Sequence, residues 1–525
     1  MTIEANGTRS VNSDSLPHAL GILATGTVLN FLGSVYSLGG RLAFSLILAR
    51  LLDPGSLGIY FLSLTVANIF AIISVGGFEQ ALLRYLAAHR TEGNWPALLG
   101  TLRFSLRAVG GISLLTAVVL AAGAPWIAVN GFGKPEITAA LQIIAISIPL
   151  CSLEMVILAA TQAFKEMKYK VWIESVLHPT LKIGLTVFFL ALGWRLYGAI
   201  SAYLITLAIC VGLSQKGLRR LVRTGLPQGE LTCDRKELWA YTTPLLGVTV
   251  ATILLQYAST LILAYFRSVE EVGVYSICLT AVSLSGFALP VVSQIFAPFI
   301  AELHRQGDIG RLRQLFKVVT LWALELFLPL ALILSVGAAT FLSLFGNHFR
   351  AAAPVLVVLI LGQLFNIVTG PVGLVLSMTG QTRLQFYNSL FTLILQCGVA
   401  IVLIPSWGLM GAAIANATAM VCVNLARVVE AYWLLRAHPF SFSLAKPVGA
   451  AAAALVVTLP LWAQGYNMGY AKVGLLSLAV FLVYGGILFG LGLDPTSRLA
   501  WEQLRARLVR PSSKTLTSSV GRNKL

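Results

Sequence analysis

Acid is what this chain most lacks. Its 525 residues hold 20 Asp and Glu against 37 Lys and Arg, and charged residues of both signs make up only 11%. A soluble globular protein carries charge on about a quarter of its residues, so a soluble fold of this length is excluded. Cysteine is sparse as well. Cys151, Cys210, Cys233, Cys278, Cys397 and Cys422 are scattered, with no Cys-x-x-Cys. This argues against a disulfide framework or a metal site and leaves the thiols as small packing residues. No G-x-x-x-x-G-K-[ST] run occurs, so no ATP-driven machinery or other cofactor is expected. The first nineteen residues are polar, with no short apolar core before a cleavage site. No removable signal peptide is expected, and the first helix directs insertion itself.

Apolar sequence is abundant. Hydrophobic residues are 57% of the chain and the mean hydropathy is +0.84. Fourteen apolar runs are bounded by basic or Pro/Gly-containing breaks. They lie at about 20–51, 56–78, 102–122, 138–161, 171–193, 198–214, 240–266, 271–300, 317–346, 353–378, 384–404, 409–434, 446–463 and 472–492. Such runs predict an all-α integral membrane protein with about 14 transmembrane helices. With the N-terminus inside, 27 of the 37 Lys and Arg fall in cytoplasmic segments. Only Lys134, Arg195, Arg267, Arg350 and Lys472 fall in outer loops. This asymmetry predicts that both termini are cytoplasmic and accounts for the net charge of +17 without a nucleic-acid partner. Lys216 to Lys236 is the densest basic cluster, and residues 511–525 read as a disordered cytoplasmic tail.

The chain repeats itself. Residues 46–65 and 261–280 match at eight of twenty positions without a gap, at an offset of 215, where roughly two matches are expected from such composition. Leu46-Ile47-Leu48-Ala49, Gly58 and Tyr60 recur as Leu261-Ile262-Leu263-Ala264, Gly273 and Tyr275. Trp194-Arg195-Leu196-Tyr197-Gly198-Ala199 recurs at offset 213 as Trp407-Gly408-Leu409-Met410-Gly411-Ala412, and Lys170 matches Arg383. A repeat of six helices is even, so both copies enter the membrane from the same side as parallel repeats. The expected organisation is an N-terminal segment (1–19), an N-lobe (20–214), a basic cytoplasmic linker (215–239), a C-lobe (240–434), two additional helices (446–492) and a basic tail (493–525).

Polar stripes repeat with the helices. Ser34, Ser37, Arg41 and Ser45 fall at the offset of Thr249, Thr252, Gln256 and Thr260. Each set occupies one face of its helix, and with Asn30 the first spans about 80°. Two like wet faces imply a cleft between two lobes. Arg41 sits on its stripe just after Gly39-Gly40, a possible hinge. Its alternative reading is an arginine reaching to the outer headgroups.

Lys182 is the most deeply placed cation, and Glu174, His178 and Lys182 step by four along one face. Glu154 falls at similar depth on the neighbouring helix. The two either form a structural ion pair or hold each other until an anionic substrate replaces the carboxylate. Glu325 has no partner legible in sequence and is a candidate for coupling protons. Glu79 matches Gln294 and falls on the face of Thr65 and Asn68, as a gate or an interface residue. Arg427 and Glu430, three apart, read as a local pair.

Ordered motifs add a resemblance. Ala49-Arg50-Leu51-Leu52-Asp53-Pro54-Gly55-Ser56-Leu57-Gly58-Ile59-Tyr60 resembles the A-R-L-L-G-P-x-x-F-G-x-Y signature of bacterial polysaccharide-biosynthesis transporters. Gly76-Gly77-Phe78-Glu79-Gln80-Ala81-Leu82-Leu83-Arg84-Tyr85 is similar to their second-helix ending. Gly380-Gln381-Thr382-Arg383 and Ile404-Pro405 through Gly411-Ala412-Ala413-Ile414-Ala415 are similar to two later motifs. Asp53 stands where the signature often has Gly, and is expected to weaken the turn.

The branch resembled is that of O-antigen and exopolysaccharide flippases, within a superfamily that also holds multidrug exporters and the peptidoglycan-precursor flippase. The resemblance implies movement of a polyprenyl-pyrophosphate-linked oligosaccharide from the inner to the outer leaflet of a bacterial inner membrane, without catalysis. The implied partners are that substrate, membrane lipids and other polysaccharide-assembly proteins. Alternatives are a cation-coupled small-molecule exporter and a membrane glycosyltransferase or polymerase. The last needs catalytic acids or histidines on a sizeable outer loop, whereas the loop at about 123–137 holds Glu136 alone.

Overall fold

The computed structural model describes residues 15–164, 166–222, 230–462 and 470–491, and all regular structure among them is helical. In an apolar medium each backbone N–H and C=O must pair within its own segment, which a helix achieves. The scarce aspartates are spent at helix starts. Asp53, Asp234 and Asp308 are the three described aspartates. Their side chains accept from the backbone N–H of Ser56, Glu237 and Arg311, each at 2.9 Å. Asp53 thus caps the helix Pro54–Val75, and the turn expected to be weak is anchored. The Ser56 N–H holds the Asp53 carboxyl below the usual carboxylate range. Ser268, 215 positions on, caps Val269–Gly286 in the same way at 3.4 Å.

Ten helices among the described residues are long and apolar enough to cross a membrane, or eleven if the bent pair Pro135–Ile144 and Ser147–Ala163 is one span. Fourteen is therefore not reached on length and apolarity alone. The expected run 271–300 is interrupted at Phe287, between Val269–Gly286 and Ala288–Arg305. The runs 384–404 and 409–434 are continuous in Thr382–Leu435 except at Gly408, whose φ of 52° and ψ of −126° break the helix. A Cβ on Gly411 would lie 2.6 Å from the Leu403 carbonyl carbon. Eight residues of straight helix would put these positions about 12 Å apart, so the chain doubles back at Gly408. The matching turn is at Arg195, also left-handed with φ 43°, where Gly198 meets the Phe189 side chain. The expected linker 215–239 is partly helix, since Arg195–Val222 runs into it and Arg235–Phe266 begins within it. The rest of the linker, residues 223–229, and the tail from 493 lie outside the described residues.

The helices up to Val222 and those from Arg235 meet most closely at one end of the bundle. A Cβ on Gly58 would lie 1.8 Å from the Val269 carbonyl oxygen. A Cβ on Gly273 would lie 3.0 Å from the Gly58 nitrogen and 3.2 Å from the Pro54 carbonyl oxygen. Positions 54 and 58 are the repeat equivalents of 269 and 273, so the contacts are reciprocal. Two copies facing each other across a local two-fold axis produce this pattern. At the other end, Phe78 stacks edge-on against Trp239 at 5.3 Å and Gly77 abuts Leu245. The helices Ala445–Trp462 and Tyr470–Leu491 pack beside Ile309–Val336, where the Tyr484 hydroxyl donates to the Glu325 carbonyl at 3.1 Å.

Candidate functional site

In the first half, four helices converge on Lys182. Its ammonium lies 4.0 Å from the Phe44 ring centroid, 4.8 Å from Tyr203 and 5.8 Å from Tyr60. Each face offers negative charge density to the cation, worth about 0.5–2 kcal/mol. Tyr60 is fully buried and its hydroxyl has no hydrogen-bond partner. The expected Glu154–Lys182 ion pair does not form, and neither residue takes part in the ion pairs His89–Glu92, Lys168–Glu166, Lys170–Glu174 and Arg311–Asp308. Glu154 is only 7% exposed, and its Oε1 is without a hydrogen-bond partner. A carboxylate and an ammonium thus share one apolar half-molecule without touching.

The step of four from Glu174 to Lys182 does not survive folding. Residues Val171–Leu177 wind as a π-helix, whose i→i+5 bonds widen each turn. Glu174 is turned to Lys170 at 3.9 Å, while the His178 ring packs edge-on to Tyr203 at 6.2 Å. The widened turn lies beside Gly33, whose missing Cβ admits Val171 and Ser175.

Arg41 is exposed, and makes no hydrogen bond or ion pair among the described residues. Its neighbours around the helix, Phe44, Ser45, Leu48 and Leu38, are buried. Exposed Leu32, Gly39 and Ala43 lie about 180–200° away. The arginine therefore emerges on the packed side of its helix, away from the apolar outer face. Ser34 and Ser37 are half-buried beside it. On the repeat-equivalent helix Thr249 is half-buried, Thr252 and Gln256 are exposed and Thr260 is buried. Thr252 donates to the Val248 carbonyl at 2.8 Å.

The second half pairs its polar side chains, and at the positions equivalent to the Lys182 box the pair is neutral. Gln396 donates to Ser259 at 2.8 Å, Asn424 to Asn366 at 3.1 Å and Asn388 to Glu430 at 2.7 Å. Glu430 is thus held by Asn388. The expected local Arg427–Glu430 pair is not among the ion pairs, and the buried Arg427 Nε lacks a hydrogen-bond partner. Glu325 faces Tyr484 on the last described helix and is not without a partner. Glu79 does not continue the face of Thr65 and Asn68, because left-handed Gly76 and Gly77 restart the helix. It lies instead within electrostatic range of Lys170 and Glu174.

The aromatic box was not foreseen, although Tyr60 stood in the repeated motif as a landmark. The amide pairs were also missed, since single Asn and Gln residues in apolar runs carry no spacing signal. A cavity of about 830 Å³ between the first half and the start of Arg235–Phe266, lined by Arg84, Tyr85, His89, Thr101, Cys233 and Glu237, contains none of the predicted site residues.

Comparison with known proteins bears on the family and the fold. No curated protein sequence matches the chain. The lipid II flippase MurJ, in an inward closed conformation, shares 13% identity, covering 93% of this chain and all of its own, with a TM-score of 0.69. An inward-facing multidrug resistance MATE family transporter of the MOP superfamily shares 15% identity over 77% of this chain and 95% of its own, with a TM-score of 0.63. A MOP superfamily transporter from Pyrococcus furiosus shares 14% identity over 80% and 96%, with a TM-score of 0.57. At such identities the likeness establishes the fold, a multi-pass helical membrane transporter fold. The model of a family described as polysaccharide biosynthesis protein matches residues 47–354, more than half of the chain. The chain belongs to the polysaccharide biosynthesis protein family.

Proposed function

We propose that this protein is a flippase for a polyprenyl-pyrophosphate-linked oligosaccharide, an O-antigen or exopolysaccharide repeat unit, carried from the inner to the outer leaflet of a bacterial inner membrane by alternating access. It has no catalytic residues in this reading. Two six-helix lobes, 20–214 and 240–434, rock about the local two-fold axis while helices 446–492 pack on the second. Both termini are cytoplasmic, which puts the Gly58–Gly273 contact at the outer end. The supporting observation is Arg41, a cation without a carboxylate on the packed side of its helix. A diphosphate crossing an apolar layer of ~30 Å meets a penalty of at least ~3 kcal/mol per unshielded charge. A free guanidinium flanked by hydroxyls offsets it. Ser34 and Ser37 on one stripe and Thr249, Thr252 and Gln256 on the other serve the sugar hydroxyls, while Ser45, predicted with them, is buried in the helix packing. Lys182 adds positive potential from within its box. Glu154, Glu79 and Glu325 are the candidates for coupling or gating.

The second reading is a cation-coupled exporter of small molecules, favoured by one observation: Glu154 is a buried carboxylate without a partner, suited to bind and release a coupling ion. A deletion strain separates the two. The flippase reading expects lipid-linked oligosaccharide to accumulate at the inner leaflet and surface polysaccharide to be lost. Restoration by wild type and not by Arg41→Ala, with Arg41→Lys partly active, is the expected result. Normal surface polysaccharide in the deletion strain, with altered drug tolerance, would overturn it.

A further inference from the structure

At the Gly58–Gly273 end, two basic side chains of the first half reach across to backbone carbonyls of the second. Arg50 donates from Nε to the Leu344 carbonyl at 2.6 Å and from Nη2 to the Ser343 carbonyl at 3.3 Å. Lys134, 9% exposed, donates from Nζ to the carbonyls of Ala264 and Arg267. The acceptors lie at the C-terminal ends of Ala338–Ser343 and Arg235–Phe266. There the last carbonyls lack intrahelical donors and the helix dipole is negative, so a cation is the favoured partner. Charge-assisted bonds of this kind are short and directional.

The arrangement has two further properties. Neither cation is in an ion pair among the described residues, so each bond to the second half ends when the halves separate. It is also one-sided. The repeat equivalent of Arg50 is Tyr265, which is exposed and lies edge-on to Phe266 at 4.9 Å. Lys134 corresponds to neutral Asn347 at offset 213. The cations stand in only one copy of the repeat, where the close approach of Gly58 to Val269 brings the halves together.

We propose that Arg50 and Lys134 form a latch that holds this end of the transporter shut, and that releasing both is the step that opens it. The inference rests on the alternating-access reading for its purpose, but its test needs no substrate. In a chain whose six cysteines are replaced by serine, Val269→Cys reports opening, since Val269 is 5% exposed at the contact with Gly58. Maleimide labelling of that thiol in membranes is slow while the end is shut. Arg50→Gln with Lys134→Gln should raise the labelling rate on the order of 10-fold or more. Arg50→Lys with Lys134→Arg should keep it near the parent rate. Thr206→Cys, fully buried within the first half, serves as the control for unfolding. Faster labelling at 269 with continued protection at 206 supports the latch. Unchanged labelling at 269, or equal acceleration at both positions, overturns it. Either outcome is read without transport, so it leaves the flippase reading to its own experiment.

Discussion

At the same helix junction the two halves make opposite choices. In the first, Lys182 stands among Phe44, Tyr60 and Tyr203. In the second, where Phe44 becomes Ser259 and Ile183 becomes Gln396, those two residues hydrogen-bond to each other. Neutral amide and hydroxyl pairs within a membrane contribute about 0.6 kcal/mol each, up to ~1.7, and leave nothing unsatisfied. A boxed ammonium and an unpartnered carboxylate in apolar surroundings are costly, and persist where something uses them. The orphans cluster accordingly. Of the ten buried side-chain atoms without a hydrogen-bond partner among the described residues, seven lie in the first half, those of Tyr60 and Glu154 among them, and three, on His304, Arg427 and His438, in the second. The comparison points to the first half as the working half and the second as the frame.

The sharpest way to break that comparison is to erase the difference. Lys182→Leu gives the first half what Leu395 provides in the second. Transport should fall on the order of 100-fold, the equivalent of ~3 kcal/mol, with the protein still in the membrane. Gln396→Leu should spare transport and lower thermal stability by about 1 kcal/mol. Equal effects of both on surface polysaccharide would dissolve the distinction.

The paired glycines test the symmetry instead. Gly58→Ala drives a methyl to within 1.8 Å of a carbonyl oxygen, whereas the nearest atom for Gly273→Ala is at 3.0 Å. Destabilisation should reach at least the upper end of the ~1–3 kcal/mol overpacking range for the first and the lower end for the second. Thermal unfolding of the purified proteins measures both.

Smaller effects belong to the repeated turns. Arg195 carries the left-handed backbone that Gly408 adopts freely. Arg195→Gly should stabilise by about 1 kcal/mol. Gly408→Ala should destabilise by at least as much, its methyl also meeting the Glu271 carboxylate at 2.8 Å. A loss of stability in Arg195→Gly would mean that the arginine side chain outweighs its strain.

The smallest effect is at the caps. Asp53→Ala should cost about 1 kcal/mol and Ser268→Ala, whose bond is longer, a few tenths. Because the folded Asp53 pKa is depressed, its contribution is complete above the unfolded carboxylate range. It is lost as pH falls through the folded value. Unfolding curves of wild type and Asp53→Ala should therefore converge in acid. A gap for Asp53→Ala that is constant with pH would refute the cap.

The sequence by itself determined the helical membrane class, because sustained apolarity leaves no other way to satisfy a backbone in lipid. It also determined the repeat. Gly58 and Gly273, matched as letters, turned out to touch near the same point. That Arg41 lies on the packed side of its helix was legible because a stripe is a one-dimensional pattern, read at 100° per residue along an unbroken helix. Where the helix is not regular that reading fails. The π-turn at Val171–Leu177 takes Glu174 off the face of Lys182, and Gly76-Gly77 takes Glu79 off the face of Thr65. Only the tertiary structure decided that Glu154 and Lys182 stay apart, that three rings from three other helices enclose the lysine, and that Arg50 and Lys134 reach the opposite half. These are contacts between segments remote in the chain, set by which helix faces meet, and spacing along one helix carries no information about them.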